Sequence, residues 1–182
     1  MRGVPRQESL RRFLNSKQIS AEQTASWLER KNHYYHQSLA GMTASSRLPG
    51  VGELLEEARA AGIKMAVASA SRNAHAVLEK LQLLDYFEVV TNSNSVANPK
   101  PAADVFIWAA GYLRAPIIQT VVFEDAESGI DAALNAGFWT VGIGAGNVNH
   151  AHISRPDLKD FGVQDILTHI NEIFSGREKP AM

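Results

Sequence analysis

From Pro49 onward the sequence alternates between a helical and a strand-like hydrophobic period, and this alternation constrains the fold more than any other feature. Val51, Leu54, Leu55 and Ala58 form an apolar helical stripe, and Gly62 follows as a helix stop. Residues 63–69 are then a short apolar run, suited to a strand buried on both faces. The pairing recurs. Ala76, Val77, Leu81 and Leu84, with Asn73 as a helix N-cap, precede a strand-like 87–91. Val105, Phe106, Ala109 and Leu113 precede 120–123, and a helix over about 127–136, stopped by Gly137, precedes 138–143. Ile166, Leu167, Ile170, Ile173 and Phe174 make a last amphipathic helix. Alternation of this kind predicts an α/β fold, a parallel sheet with helices on both faces.

Before Pro49 every strong pattern is helical. Leu10, Phe13 and Leu14 share one face of a short helix. Ser20 and Gln23 have capping-box spacing, in which each side chain satisfies the other's backbone N–H, and the helix they open runs through Trp27, Leu28 and Tyr35. The chain thus divides into a helical region, 1–46, and an α/β region, 47–182. A length of 182 residues suits one domain, or one domain with a small insertion.

Composition narrows the function. The formal net charge is −1, which gives no reason to expect nucleic acid as a partner. With no cysteine, disulfides and thiolate chemistry are excluded. No apolar run is long enough to span a membrane, so no membrane role is expected. The opening residues lack the apolar core of a secretory signal, and a cytoplasmic location is the expectation. Nothing in the sequence fixes the oligomeric state.

In open α/β sheets ligands sit beyond the carboxyl ends of the strands. That rule selects four places. At Ser69-Ala70-Ser71, small hydroxyl residues end a strand and lead into a helix, where hydroxyls, backbone N–H groups and the helix dipole can cradle a phosphate. Taken alone, a serine-rich turn with Asn73 as cap is the simpler reading. Lys100 is framed by Pro99 and Pro101, which restrict the backbone and keep the lysine out of a helix. A lysine held there can neutralise a phosphoryl oxygen; a solvated loop lysine is the plain alternative. Glu124 and Asp125 are adjacent acids at a strand end, where they repel each other without a cation, and magnesium takes one or two such carboxylates. The alternative for Asp125 is a helix N-cap. The fourth place is the Gly-rich stretch from Gly142 to Gly146.

The order of these loops resembles haloacid dehalogenase-type phosphotransferases. Residues 67–73, Val-Ala-Ser-Ala-Ser-Arg-Asn, resemble the second motif of the β-phosphoglucomutase family. Lys100-Pro101 with Asp104-Val105-Phe106 resembles the third, and Phe123-Glu124-Asp125 through Ser128-Gly129-Ile130 the fourth. Residues 2–10 and Arg30-Lys31-Asn32 resemble that family's cap segments, which makes 1–46 a partial helical cap. The resemblance implies magnesium, held by Glu124 and Asp125, and a phosphorylated sugar as ligand. It implies that Ser69, the Ala70 amide and Lys100 hold the transferring phosphoryl group. Arg6, Ser71, Arg72 and Asn73 would hold a distal phosphate, and Lys31 would line the sugar site.

One part of the family pattern has no counterpart. The family begins with a strand ending in Asp-x-Asp, whose first aspartate attacks phosphorus and whose second exchanges protons with the sugar oxygen. The 182 residues contain no Asp-x-Asp. The expectation is an N-terminally truncated member that lacks its first, central strand and forms no covalent intermediate on its own. A sugar-phosphate phosphatase of the same fold and a non-catalytic phosphate-binding remnant are the competing readings. Three weaker features are set aside here. Gly142 to Gly146 lacks the following helix and acid of a dinucleotide loop. His150 and His152 have no third metal ligand and read as a solvated pair, and Trp27 and Trp108 read as packing residues.

Overall fold

The computed structural model describes residues 10, 13–15, 19–71, 73–92 and 95–177, with His36 described by its backbone only. The helical region is dominated by α1 (Ala21–Ala40), opened by the expected capping box: Gln23 N donates to Ser20 Oγ at 3.1 Å and Ser20 N to Gln23 Oε1 at 3.0 Å. Its less exposed positions, Thr24, Leu28, Asn32, Tyr35 and Leu39, follow helical spacing along one stripe. Trp27 lies off that stripe and is 40% exposed, so the packing role expected for it does not hold.

The α/β region runs α2 (Val51–Ala60), β1 (Ala66–Ser69), α3 (Ala74–Lys80), β2 (Val89–Asn92), α4 (Asp104–Leu113), β3 (Val121–Glu124), α5 (Glu127–Asn135), β4 (Trp139–Ile143), β5 (Ile153–Arg155) and α6 (Val163–Arg177). Gly62, at φ +68°, stops α2 in a left-handed turn in which Ile63 N returns to Ala58 O at 2.9 Å. The α3 helix ends earlier than its apolar stripe suggested, and Leu84 sits in a separate 3-10 turn (Leu84–Tyr86). The three-residue β5 was not expected, because so short a strand carries no periodicity to read.

All strand pairs are parallel. β1 pairs with β2, with Ser69 opposite Asn92. β3 pairs with β4, with Glu124 opposite Gly142, and β4 pairs with β5. These make two separate sheets, ordered β1-β2 and β3-β4-β5. Among the described residues no strand pairs with the second edge of β1 or of β3.

Helices cover both faces, as the alternation predicts. On one face Val122 of β3 packs with Val105, Phe106 and Ala110 of α4, Ala132 and Ala133 of α5, and Phe138; Ala68 of β1 joins this cluster. On the other face Leu54 of α2 packs with Val141, Ile153, Leu158, Phe161 and Ile166 of α6, and Val121 joins that cluster. Val121 and Val122 take opposite sides because strand side chains alternate. Burial on both faces holds for β4, whose first four residues are buried, but not for β1, whose four residues are all half-exposed. Trp108, expected to pack, is 40% exposed on α4 and stacks on Tyr112 at 5.7 Å instead.

Because β4 is paired on both sides and β1 on one, their backbones should open with different ease. Amide hydrogen exchange should find 139–143 the better protected segment and 66–69 the weaker. Equal protection would mean that β1 has a partner on its second edge.

Candidate functional site

The site is organised by one buried lysine at the carboxyl ends of two strands from different sheets. Lys100 is only 6% exposed. Its Nζ donates to Glu124 Oε2 at 2.7 Å, at the end of β3, and to the Ala68 carbonyl at 3.4 Å, near the end of β1. It also stands 4.4 Å from the centroid of the Phe106 ring, a favourable cation–π placement. The solvated-loop alternative for Lys100 is therefore overturned. The flanking prolines are not the whole reason. Asp104 Oδ2, at the start of α4, accepts from Asn98 N at 3.2 Å and from Asn98 Nδ2 at 2.9 Å, closing the loop that carries the lysine.

Glu124 and Asp125 were expected to repel each other unless a cation intervened. The structure resolves part of that conflict internally, since Lys100 neutralises Glu124. The N-cap position of α5 is Ala126, one residue beyond Asp125. Gly129 explains how Glu124 fits beside α5. A Cβ at Gly129 would lie 2.2 Å from Glu124 Cδ and 2.6 Å from Oε1, so only glycine leaves room for the carboxylate.

The Ser69–Asn73 segment combines both readings made of it. Ser71 N donates to Ser69 Oγ at 3.0 Å, and Asn73 N donates to Ser71 Oγ at 3.2 Å. The hydroxyls thus organise a turn as acceptors while their own protons remain available to an anion. Asn73 occupies the N-cap position of α3, but its side chain makes no cap bond. Asn73 Nδ2, and Ser128 Oγ in the first turn of α5, are buried without a hydrogen-bond partner. Each is a polar group with unused hydrogen-bonding capacity near the start of a helix that follows a strand end.

The β4–β5 connection forms one wall. Asn147 Nδ2 donates to Glu127 Oε1 at 2.7 Å, and a Cβ at Gly146 would come within 2.9 Å of the Asp125 carbonyl. The histidines are not a solvated pair. His150 Nε2 lies 3.0 Å from Asp131 Oδ1, and His152 Nδ1 lies 3.0 Å from Thr140 Oγ1 and accepts from Thr140 N at 3.2 Å. Each is anchored to a different element, His150 to α5 and His152 to β4.

The structure therefore brings Lys100 and Glu124 into contact and places Asp125 and Ser69-Ala70 at the same strand ends. Lys31 stands exposed on α1 and takes no part in this network among the described residues. Arg6 and Arg72 lie outside the described residues. Sequence reasoning missed the roles of Phe106, Asp104 and Gly129, although all three stood within the stretches that carried the resemblance. Two adjacent oxygen-donor acids suit magnesium, which takes one or two carboxylates and completes its shell with water and phosphate oxygens. Among the described residues no group of three or more His, Cys, Asp or Glu could hold a metal. A hollow of about 570 Å³ beside Arg47, Gly50, Glu53 and Tyr86 includes none of these strand-end residues.

Comparison with known proteins gives the family and the fold. The family model described as haloacid dehalogenase-like hydrolase matches residues 1–143. The β-phosphoglucomutase of Bacillus subtilis is 35% identical over 151 residues, covering 80% of this chain and 66% of that protein. A phosphorylated carbohydrates phosphatase of Thermotoga maritima is 38% identical over 92 residues, covering 49% of this chain and 42% of that one. The chain thus spans less than two thirds of the length of these relatives. The crystal structure of a β-phosphoglucomutase from Clostridium difficile superposes with a TM-score of 0.86 at 30% identity, covering 95% of this chain and 80% of that one.

Gly129 gives a direct test of the packing at Glu124. Helix propensity alone favours alanine over an interior glycine by about 1 kcal/mol. Gly129→Ala should nevertheless destabilise the protein in a urea melt, because the new methyl group overlaps Glu124 and disturbs its contact with Lys100. A stabilised variant would mean that Glu124 lies elsewhere.

Proposed function

The chain belongs to the haloacid dehalogenase-like hydrolase family, and we propose that it serves phosphoryl transfer of the β-phosphoglucomutase type, converting β-glucose 1-phosphate to glucose 6-phosphate through a bisphosphate. The observation that carries this reading is the buried Lys100 at the meeting point of the two strand ends, beside the adjacent acids Glu124 and Asp125. Such an arrangement places positive charge where a phosphoryl group gains negative charge in its transition state.

In this reading Lys100, the Ser69 hydroxyl and the Ala70 amide hold the transferring phosphoryl group. Glu124 and Asp125 hold Mg²⁺, which would neutralise charge on the phosphoryl oxygens. Ser71, Asn73, Arg6 and Arg72 grip the distal phosphate, and Lys31 lines the sugar side. The covalent step needs an aspartate as nucleophile and a second one as acid and base. The 182 residues hold seven aspartates and no Asp-x-Asp. Binding and charge stabilisation therefore fall to these residues, and the nucleophile of the covalent step is not among them. Similarity to the Thermotoga phosphatase supports a second reading, hydrolysis of a sugar phosphate at the same site. A grip on a distal phosphate favours the mutase, because hydrolysis of a monophosphate needs none.

Three outcomes test this. The 182-residue chain, with magnesium and a bisphosphate primer, should give no turnover of β-glucose 1-phosphate; robust turnover would require another nucleophile. In a chain joined to an Asp-x-Asp segment, Lys100→Ala should slow phosphoryl transfer about a hundredfold or more. In the same chain Arg6→Ala should harm formation of glucose 6-phosphate far more than release of inorganic phosphate from a small ester. Equal losses would remove Arg6 from the distal-phosphate site and favour the phosphatase.

A further inference from the structure

The Lys100 amine is held in place before any ligand arrives. It donates to Glu124 Oε2 at 2.7 Å and, at 3.4 Å, to the Ala68 carbonyl, and it stands 4.4 Å from the centroid of the Phe106 ring. The pair is buried, with side-chain exposures of 4% for Lys100 and 9% for Glu124. The Glu124 carboxylate is equally confined, pressed against Gly129 so closely that a methyl group there would overlap it. The short, buried bond to Glu124 holds the amine, so a phosphoryl oxygen competes with that carboxylate for it. A divalent cation, likewise, can take Glu124 only by sharing or displacing the lysine.

We propose that Lys100 is the resident counter-ion of Glu124 and competes with the divalent cation for its carboxylate, so that cation binding releases the amine toward a phosphoryl oxygen. This rests on the reading of Glu124 as a cation ligand. The exchange is favourable only in company. A cation arriving alone brings two positive charges beside a lysine that loses its partner, in a site where charges are poorly screened. An arriving phosphate gives the released amine a new anion. Cation and phosphate therefore assist one another through one side chain, and by linkage each raises the other's affinity by the same factor. Such a site resists filling by either ligand alone.

The competition can be read without turnover. Magnesium affinity is measured by isothermal titration on the wild-type chain, Lys100→Met, Lys100→Arg and Glu124→Gln. Removing the competitor should tighten Mg²⁺ binding in Lys100→Met by about 5- to 150-fold, the range of ordinary coupling between sites. Lys100→Arg, which keeps the charge, should stay near wild type, and Glu124→Gln should lose the binding. In wild-type protein with ¹³C-labelled lysine, the Lys100 ε-methylene signal should move with the same midpoint as Mg²⁺ binding. That signal keeps the test decisive even if Lys100→Met fails to fold. Mg²⁺ binding that depends on Glu124 but leaves the Lys100 signal still, or that is unchanged or weakened in Lys100→Met, overturns the competition and leaves the phosphoryl-transfer reading standing. Mg²⁺ binding that ignores Glu124→Gln, or that is absent even from folded Lys100→Met, overturns both.

Discussion

The contact between Lys100 and Glu124 is the interaction on which the site depends. β1 and β3 belong to separate sheets, and no ladder of backbone hydrogen bonds joins them among the described residues. What connects their carboxyl ends is one amine, bonded to the Ala68 carbonyl on one side and to Glu124 on the other. Below it the apolar cluster of Phe106, Val122, Ala132 and Phe138, with Ala68 against it, holds the same two strands from one face. The ion pair is thus laid over a hydrophobic seam. Burying two charges costs several kcal/mol per ion unless each is paired and hydrogen-bonded, and here the lysine is paired, hydrogen-bonded and set against an aromatic face. Breaking such a pair from one side is far more damaging than never having made it, since the charge left behind has no partner.

This pair also connects fold with chemistry. An anion site needs a positive group held at its edge before the ligand arrives, and here Glu124 holds the Lys100 amine there. Asp104 closes the loop that presents Lys100, Phe106 supports the amine, and Gly129 opens the space that Glu124 fills. Asn147 and Gly146 hold the neighbouring wall against the start of α5. These residues position the charged groups in the proposed chemistry without reacting themselves.

Much of this was legible in the sequence because its signals are local. The capping box at Ser20 and Gln23, the stop at Gly62 and the alternation of helix and strand periods need no tertiary information, and they appear where expected. The rule that ligands sit beyond strand ends points to Ser69, Lys100 and Glu124 from the sequence alone. Other features lay beyond local reasoning. Whether Lys100 is solvated depends on Phe106, Ala68 and Glu124, which meet only in the folded chain. Trp27 and Trp108 were misjudged because an aromatic residue on a helix packs only if its face has a neighbour. His152 was misjudged because its partner, Thr140, lies twelve residues away on β4. The three-residue β5 is set by its pairing with β4 and by no pattern of its own.

If this reading holds, the carboxyl ends of β1 and β3 form one site for a phosphoryl group and a cation together. Anomalous diffraction from crystals grown with Mn²⁺ and inorganic phosphate tests it most directly. The account predicts the metal peak at the Glu124 and Asp125 carboxylates and the phosphate between that peak, Lys100 and the Ser69–Ala70 turn. Metal and phosphate at unrelated places, with Lys100 still closed on Glu124, would contradict it.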